Sequence, residues 1–234
     1  TRAVEFTNDE SSQGYLSIAS SSLDLSKRSF SISVWIRIDY SQLSNNTDID
    51  ILSQGSNSQN HCVILRWNSN DTIRFALYAN DLDTTSTFAK ETTYNQTWIH
   101  FTFTYNQTGH RRIYVNGSLS KEDTTTTNFV NQSKDLCVVQ FNGNGEEGVR
   151  MDDLKIYEGV LTSTEVSNIY SHNDLNDATP SNWSSLATAT NNTKFMTRHT
   201  GVKTYFANNS GSSSFTITGS KLGLSQSSET YTVH

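Results

Sequence analysis

The stretch FSISVWIRI, residues 30–38, limits the possible folds more than any other part of the chain. Phe30, Ile32, Val34, Ile36 and Ile38 share one parity, while Ser31, Ser33, Trp35 and Arg37 share the other. Strand side chains alternate faces, so this segment has one face to bury and one wetter face. One-sided burial belongs to antiparallel sheets; strands of parallel sheets are apolar on both faces. HCVILRW (61–67), TIRFALYA (72–79), WIHFTFTY (98–105), CVVQF (137–141) and VRMDDLKIY (149–157) add further runs rich in β-branched and aromatic residues. In RRIYVNGSL (111–119), Asn116-Gly117 marks a tight hairpin, because both residues accept positive φ. Strands spaced this way without alternating helices predict an all-β protein, two antiparallel sheets stacked as a sandwich.

One segment breaks the alternation. In GVRMDDLKIYEGVLTSTEVSNIY (148–170), the apolar pairs Val149/Met151 and Leu154/Ile156 fall on opposite parities. A β-bulge at Asp152-Asp153 repairs the register and re-aims a carboxylate. The same stretch predicts one short helix over 162–171. Thr162-Ser163-Thr164-Glu165 fits a capping box, and Val166 and Tyr170 share a face four residues apart.

Composition narrows the function. The net charge of −6 comes without a dense run of either sign, and Lys27-Arg28 and Arg111-Arg112 are the only basic doublets. That argues against nucleic-acid binding, which needs a concentrated basic stripe. No apolar run approaches the roughly 18–20 residues that cross a bilayer. The chain opens on Thr1 and reads as strand almost at once, which suits either a mature protein whose targeting segment has been removed or a trimmed chain.

Sequons begin at Asn45, Asn70, Asn95, Asn106, Asn116, Asn131, Asn182, Asn191 and Asn208. That slightly exceeds the about six that chance gives in so Ser/Thr/Asn-rich a chain. Glycan attachment and compositional accident both fit. Cys62 and Cys137 each stand near the start of a strong strand, which suits one inter-strand disulfide in an oxidising compartment or two buried free thiols. Together these features predict an extracellular or cell-surface glycoprotein.

After about residue 174 the texture changes. Residues 175–192 read as a polar connector, and 193–234 recover strand-like alternation at Phe215, Ile217, Tyr231 and Val233. Such a tail is predicted to pair with a sandwich, its own or a neighbour's. Between chains, that pairing would build a filament or coat by strand addition.

GVRMDDLKIYEGVLTSTEV resembles the terminal strand and helix of laminin-G-like jelly rolls, in the concanavalin A-like and pentraxin group. VEFTNDESSQGYLSI is similar to that family's opening strands, FSISVWIRI to its Trp-bearing strand, and WIHFTFTYNQTGHRRIYVNGSL to its hairpin. The resemblance covers residues 1 to about 172 and implies a jelly-roll domain over 1–174. It also implies a structural Ca²⁺ held by Asp152, with Asn8, Asp9 or Glu10 from the N-terminal loop, since Ca²⁺ takes six to eight oxygens. The alternative is an aspartate capping backbone N–H groups at the bulge. Pentraxin-like domains hold ligands through an acidic loop; FNGNGEEGV (141–149) lies in the corresponding region with Asn142, Asn144, Glu146 and Glu147, short of the family's full acidic run.

Three function classes follow. An enzyme is disfavoured, with no catalytic residue assigned. The Glu-x-Asp-x-Glu order of related glycosidases is missing, the six histidines are scattered, and Asp48/Asp50 and Asp81/Asp83 sit in surroundings that read as solvated loops. A glycan- or protein-binding module would use Trp35, Arg37, Trp67 and Tyr78 along a groove, although Trp35 also suits packing in the sandwich. A self-associating, non-catalytic adhesion or assembly subunit is the third class, and the tail favours it.

Overall fold

The computed structural model describes residues 3–6, 14–26, 28–43, 48–59, 61–125, 128–130, 133–141, 144–145 and 148–171, with 203–204, 214–219 and 227–232 of the tail. Asn8, Asp9, Glu10, Asn142, Glu146, Glu147, the connector 175–192 and the sequons at Asn45, Asn131, Asn182, Asn191 and Asn208 lie outside the described residues.

In chain order the strands are β1 (Val4–Phe6), β2 (Leu16–Ile18), β3 (Phe30–Ile38), β4 (Ile49–Gly55), β5 (Cys62–Trp67), β6 (Ile73–Leu77), β7 (Asp81–Asp83), β8 (Ile99–Tyr105), β9 (His110–Val115) and β10 (Ser118–Thr124). They continue as β11 (Leu136–Val138), β12 (Gln140–Phe141), β13 (Asn144–Gly145) and β14 (Val149–Glu158), then helix α1 (Ser163–Ser171) and the tail strands β15 (Lys203–Thr204), β16 (Ser214–Gly219) and β17 (Ser227–Thr232). Two antiparallel sheets form a jelly-roll sandwich. One runs β1-β14-β3-β8-β9-β10, with β15 also on β14; the other runs β2-β11-β4-β5-β6-β7.

The alternation of residues 30–38 is realised in full. Phe30, Ile32, Val34, Ile36 and Ile38 are completely buried in the core between the sheets, against Trp67, Phe75, Phe101 and Phe103. Arg111 of β9 ties the two layers at one edge. Its buried guanidinium donates to the carbonyls of Phe75 (3.0 Å) and Asn80 (2.7 Å), on the opposite sheet and the turn that follows it.

The paired aspartates form the expected bulge. Asp152 stands opposite Trp35 and Lys155 opposite Ser33, so Asp153 and Leu154 together face the single residue Val34. The extra residue flips parity once, and Val149, Met151, Leu154 and Ile156 all reach the core. Asp153 takes φ of 51°, and its carboxylate pairs with Lys155. The Asn116-Gly117 turn also forms, with φ of 49° and 77°. At α1 the capping box closes: Thr162 donates N–H to Glu165 Oε2 at 2.7 Å, and Glu165 N–H donates to Thr162 Oγ1 at 3.3 Å.

One expectation about the strands fails. Asp50 lies in β4 and Asp81 and Asp83 bound β7, while Asp48, 40% exposed, immediately precedes β4; all four acids pair with a strand arginine. The register shift between Asp50 and Leu52 puts Ile49, Ile51 and Leu52 all inside, which hides the strand from a period-two reading. No helix among the described residues is long and apolar enough to cross a membrane.

Candidate functional site

The sandwich has two outer faces, and helix α1 closes one of them. On the outer side of the β14-β3-β8-β9 sheet, Val166 and Leu161 pack with Tyr114 and Tyr157. Tyr170 stacks on Trp35 (5.6 Å between centroids, 21° between planes), and Trp35 also meets the His100 ring at 5.0 Å. Ser33 Oγ lies 2.8 Å from His100 Nε2, and burial pushes that imidazole down to about 3, so it stays neutral at physiological pH. Trp35, 7% exposed, is therefore a packing residue under a helix.

The predicted groove of Trp35, Arg37, Trp67 and Tyr78 does not assemble. Arg37 lies on the helix-covered sheet and donates from Nε to the Gln96 carbonyl at 2.8 Å. Trp67 faces inward, edge-on to Phe101, with Nε1 donating to the Phe88 carbonyl at 3.0 Å. Only Tyr78 reaches the second outer face, where it packs on Cys62, Ile64 and Ala76. Parity is the reason: Trp67 is odd-numbered on a strand whose even residues point outward.

That second face, on the β4-β5-β6-β7 sheet, carries a polar row of which the sequence showed only the acids, and not their partners Arg66 and Arg74. Asp50 pairs in register with Arg66, Arg66 with Arg74, and Arg74 with Asp83, one row across four strands. The row spans about 14 Å at the usual strand spacing. Two arginines directly opposite would repel, yet each is flanked by acids on its far side. Arg66 donates to Asp50 Oδ1 from Nε and to Asp48 Oδ2 from Nη1, both at 2.7 Å. Arg74 makes a bidentate pair with Asp83, 2.7 Å for each bond, and lies 2.9 Å from Asp81 Oδ2. Beside the row runs an apolar strip, Cys62, Ile64 and Ala76, flanked by Tyr78 and Phe141. Phe141 lies 5.6 Å from the Arg66 guanidinium, so β12, at the start of the region implicated by the resemblance to pentraxins, lies against this face. The spacing Asp-x-Asp with Arg on both middle strands was the available signal; it fails in the sequence because the partners are distant along the chain.

Electrostatics grade the row from one end to the other. At the closed end, burial raises the Asp50 carboxyl above the usual range and outweighs the neighbouring Arg66 charge. At the open end, the Arg74 hydrogen bonds hold the Asp83 carboxyl below it. Asp50 is 8% exposed against 34% for Asp83, which explains the contrast.

The expected disulfide is overturned: Cys62 and Cys137 are both free. Cys62 sits opposite Gly55 on one side of β4 and Cys137 opposite Ser53 on the other. Two strand spacings alone separate them laterally by about 9–10 Å, and the two-residue offset along β4 adds to that, beyond the roughly 7 Å that a bridge tolerates. Burial pushes the Cys62 thiol up to about 12, which leaves it unreactive.

The calcium ligands implied by the resemblance are incomplete among the described residues. Asp152 Oδ1 accepts the Asp153 N–H at 2.8 Å, the backbone-capping alternative, and Asp153 is neutralised by Lys155. No group of three or more His, Cys, Asp or Glu suited to a metal occurs among the described residues.

Four sequons are described. Asn70 is exposed in the β5–β6 turn, and Asn106 lies in the β8–β9 turn with Oδ1 accepting from Thr108 N–H at 3.0 Å. The other two are tied down by their carbonyls: Asn95 Oδ1 accepts from Tyr40 N–H at 3.1 Å, and Asn116 Oδ1 from His100 N–H at 3.0 Å.

Comparison with known proteins agrees with this architecture. The family model of the concanavalin A-like lectin/glucanases superfamily matches residues 10–167. The chain belongs to that superfamily. Among curated proteins, botulinum neurotoxin type F of Clostridium botulinum is 26% identical over 163 residues, 62% of this chain and 12% of the toxin. The domain thus spans about an eighth of that relative. Among solved structures, a candidate carbohydrate binding protein from Bacteroides ovatus superposes with a TM-score of 0.54 at 19% identity, over 70% of this chain and 45% of that one. A structure of botulinum neurotoxin type C, concerned with its interaction with two ganglioside molecules, gives a TM-score of 0.53 at 21% identity, over 71% and 41%. At these identities the likeness establishes the jelly-roll fold.

Proposed function

We propose that this chain is a non-catalytic saccharide-binding module of a secreted or surface protein, working through the outer face of the β4-β5-β6-β7 sheet. The observation that carries the reading is the in-register row Asp50–Arg66–Arg74–Asp83 beside the Tyr78 and Phe141 rings. Saccharides present hydroxyls at their edges and apolar C–H faces, and such a face offers fixed polar groups next to aromatic rings. The carbohydrate- and ganglioside-related structures support the same class by analogy of fold.

Catalysis is disfavoured by the arginines. Glycosidase carboxylates stand about 5–9.5 Å apart, one protonated and one free. Here Asp50 and Asp83 end opposite sides of a row about 14 Å long. The closer pairs, Asp48/Asp50 and Asp81/Asp83, each share one guanidinium that holds both acids. The test is calorimetry or an array with a panel of saccharides. Binding to at least one class is expected, weakened at least tenfold by Phe141→Ala; no binding to any saccharide refutes the reading.

Two further proposals accompany this one. Assembly through the tail is favoured by β15, which joins β14 as an added strand that a neighbour's tail could equally supply. Removal of residues 175–234 then lowers the oligomeric state in light scattering; an unchanged mass refutes it. A structural Ca²⁺ against Asp152, completed by Asn8 and Asp9, would be lost on chelation. The melting temperature would then fall by several degrees in the wild type and not in Asp152→Asn, and identical melting with and without chelator removes the proposal.

A further inference from the structure

The charge balance of the same face carries a statement about which saccharides it takes, one that rests on the saccharide-binding reading. Recognition of a sialic acid, a uronic acid or a sulfate ester is favoured by a cation with charge to spare. The two cations of the row have none. Arg66 is held by Asp48 and Asp50, and Arg74 by Asp81 and Asp83, so each guanidinium faces two carboxylates. With Asp48 and Asp81 counted beside the row, four carboxylates face two guanidiniums, two more negative than positive charges. An anionic ligand would meet unpaired carboxylate charge, and like-charge juxtaposition discriminates strongly against a partner.

What the row leaves open suits a neutral polyol. Nε and Nη1 of Arg66 and Oδ1 of Asp50 are engaged, while Arg66 Nη2 and Asp50 Oδ2 have no hydrogen bond to any described residue. One unused donor and one unused acceptor on adjacent strands match a hydroxyl group, which accepts through its oxygen and donates its proton. A carboxylate or sulfate only accepts. It would satisfy Nη2 and leave Asp50 Oδ2 facing another negative oxygen. Beside them, Phe141 and the Ile64 strip offer an apolar wall for the C–H face of the same sugar ring.

We infer that this face selects uncharged saccharides and rejects their sialylated or sulfated forms. In that respect it departs from what ganglioside recognition by a similarly folded toxin domain suggests. The experiment titrates the full chain with matched probes that differ by one charge: lactose against sialyllactose, and a neutral galactan fragment against its sulfated counterpart. Where the neutral probe binds, the charged one is expected to bind at least tenfold more weakly at low salt, the ratio narrowing as salt rises. Asp81→Asn, which leaves the bidentate Asp83–Arg74 pair in place, is expected to narrow the ratio; Asp81→Asn with Asp83→Asn, which frees Arg74, narrows it further. Equal or tighter binding of the charged probe overturns the inference and leaves the saccharide reading standing, as does an unchanged ratio in both variants. Failure of every probe overturns the inference for these sugars, and failure across the whole saccharide panel refutes the saccharide reading itself.

Discussion

Replacing Arg66 by Met isolates the physics of the row. Met keeps most of the apolar stem, so little cavity forms, while the guanidinium that compensates Asp50 disappears. Asp50 is 8% exposed, and breaking a buried pair by removing one partner costs about 3–5 kcal/mol because the remaining charge is stranded. Asp48 is 40% exposed and regains water, so its share is about 0–1 kcal/mol. We expect about 3 kcal/mol of destabilisation at pH 7, a fall in Tm of about 6–12 °C for a domain of this size.

The pH dependence separates this from ordinary packing loss. Asp50 already has a folded-state value above its unfolded one, because burial outweighs Arg66. The folded protein therefore holds this proton more tightly, and this group's contribution to stability falls as pH rises from about 4 through the raised value. Removing Arg66 deletes the main opposing influence, moves the folded value higher and widens that window. Near pH 4 the carboxyl is protonated in the variant's folded state, and the penalty shrinks to about 1 kcal/mol of lost hydrogen bonding. Urea unfolding of both proteins at pH 7 and pH 4 measures the two differences. Equal destabilisation at both pH values would refute the claim that a stranded Asp50 charge is the cause.

Three other outcomes are expected. Intact-mass measurement without reductant gives two reduced cysteines, and native-state alkylation leaves Cys62 unlabelled, since it is fully buried with its thiol pushed up to about 12; a loss of two hydrogens, or rapid labelling of Cys62, contradicts the strand placement. Gly117→Ala puts a Cβ 2.9 Å from Cδ1 of the Tyr170 ring at φ of 77°, so a loss of about 1–3 kcal/mol with altered Trp fluorescence from the displaced Tyr170–Trp35 stack is expected. An unchanged melt and spectrum would mean that the helix does not rest on this turn. Trp35→Phe leaves saccharide affinity within twofold of the wild type while lowering stability; a tenfold loss of affinity would move the binding face to the helix-covered side.

Legibility followed the range of the interactions concerned. The bulge was readable because Val149/Met151 and Leu154/Ile156 conflict within eight residues, and one inserted residue is the least change that resolves them. The helix start was readable because the Thr162–Glu165 box is closed within four residues. The cysteines misled because similar placement on two strands says nothing about the strand between them. Trp67 misled because an aromatic residue suits a core and a sugar platform equally, and its neighbours alone do not say which face of the strand is inside.

By itself the sequence determined that the chain is a two-layer antiparallel sandwich, since the period-two burial of residues 30–38 and its echoes admits few other solutions. It also fixed the bulge, the hairpin turn and the helix cap, all closed by contacts close in the chain. Only the tertiary structure decided which face helix α1 leaves uncovered and what lies on it. Asp50, Arg66, Arg74 and Asp83 come from four strands, and a cross-strand row exists only once register is set. Register depends on the whole sheet finding its core, which no local stretch encodes.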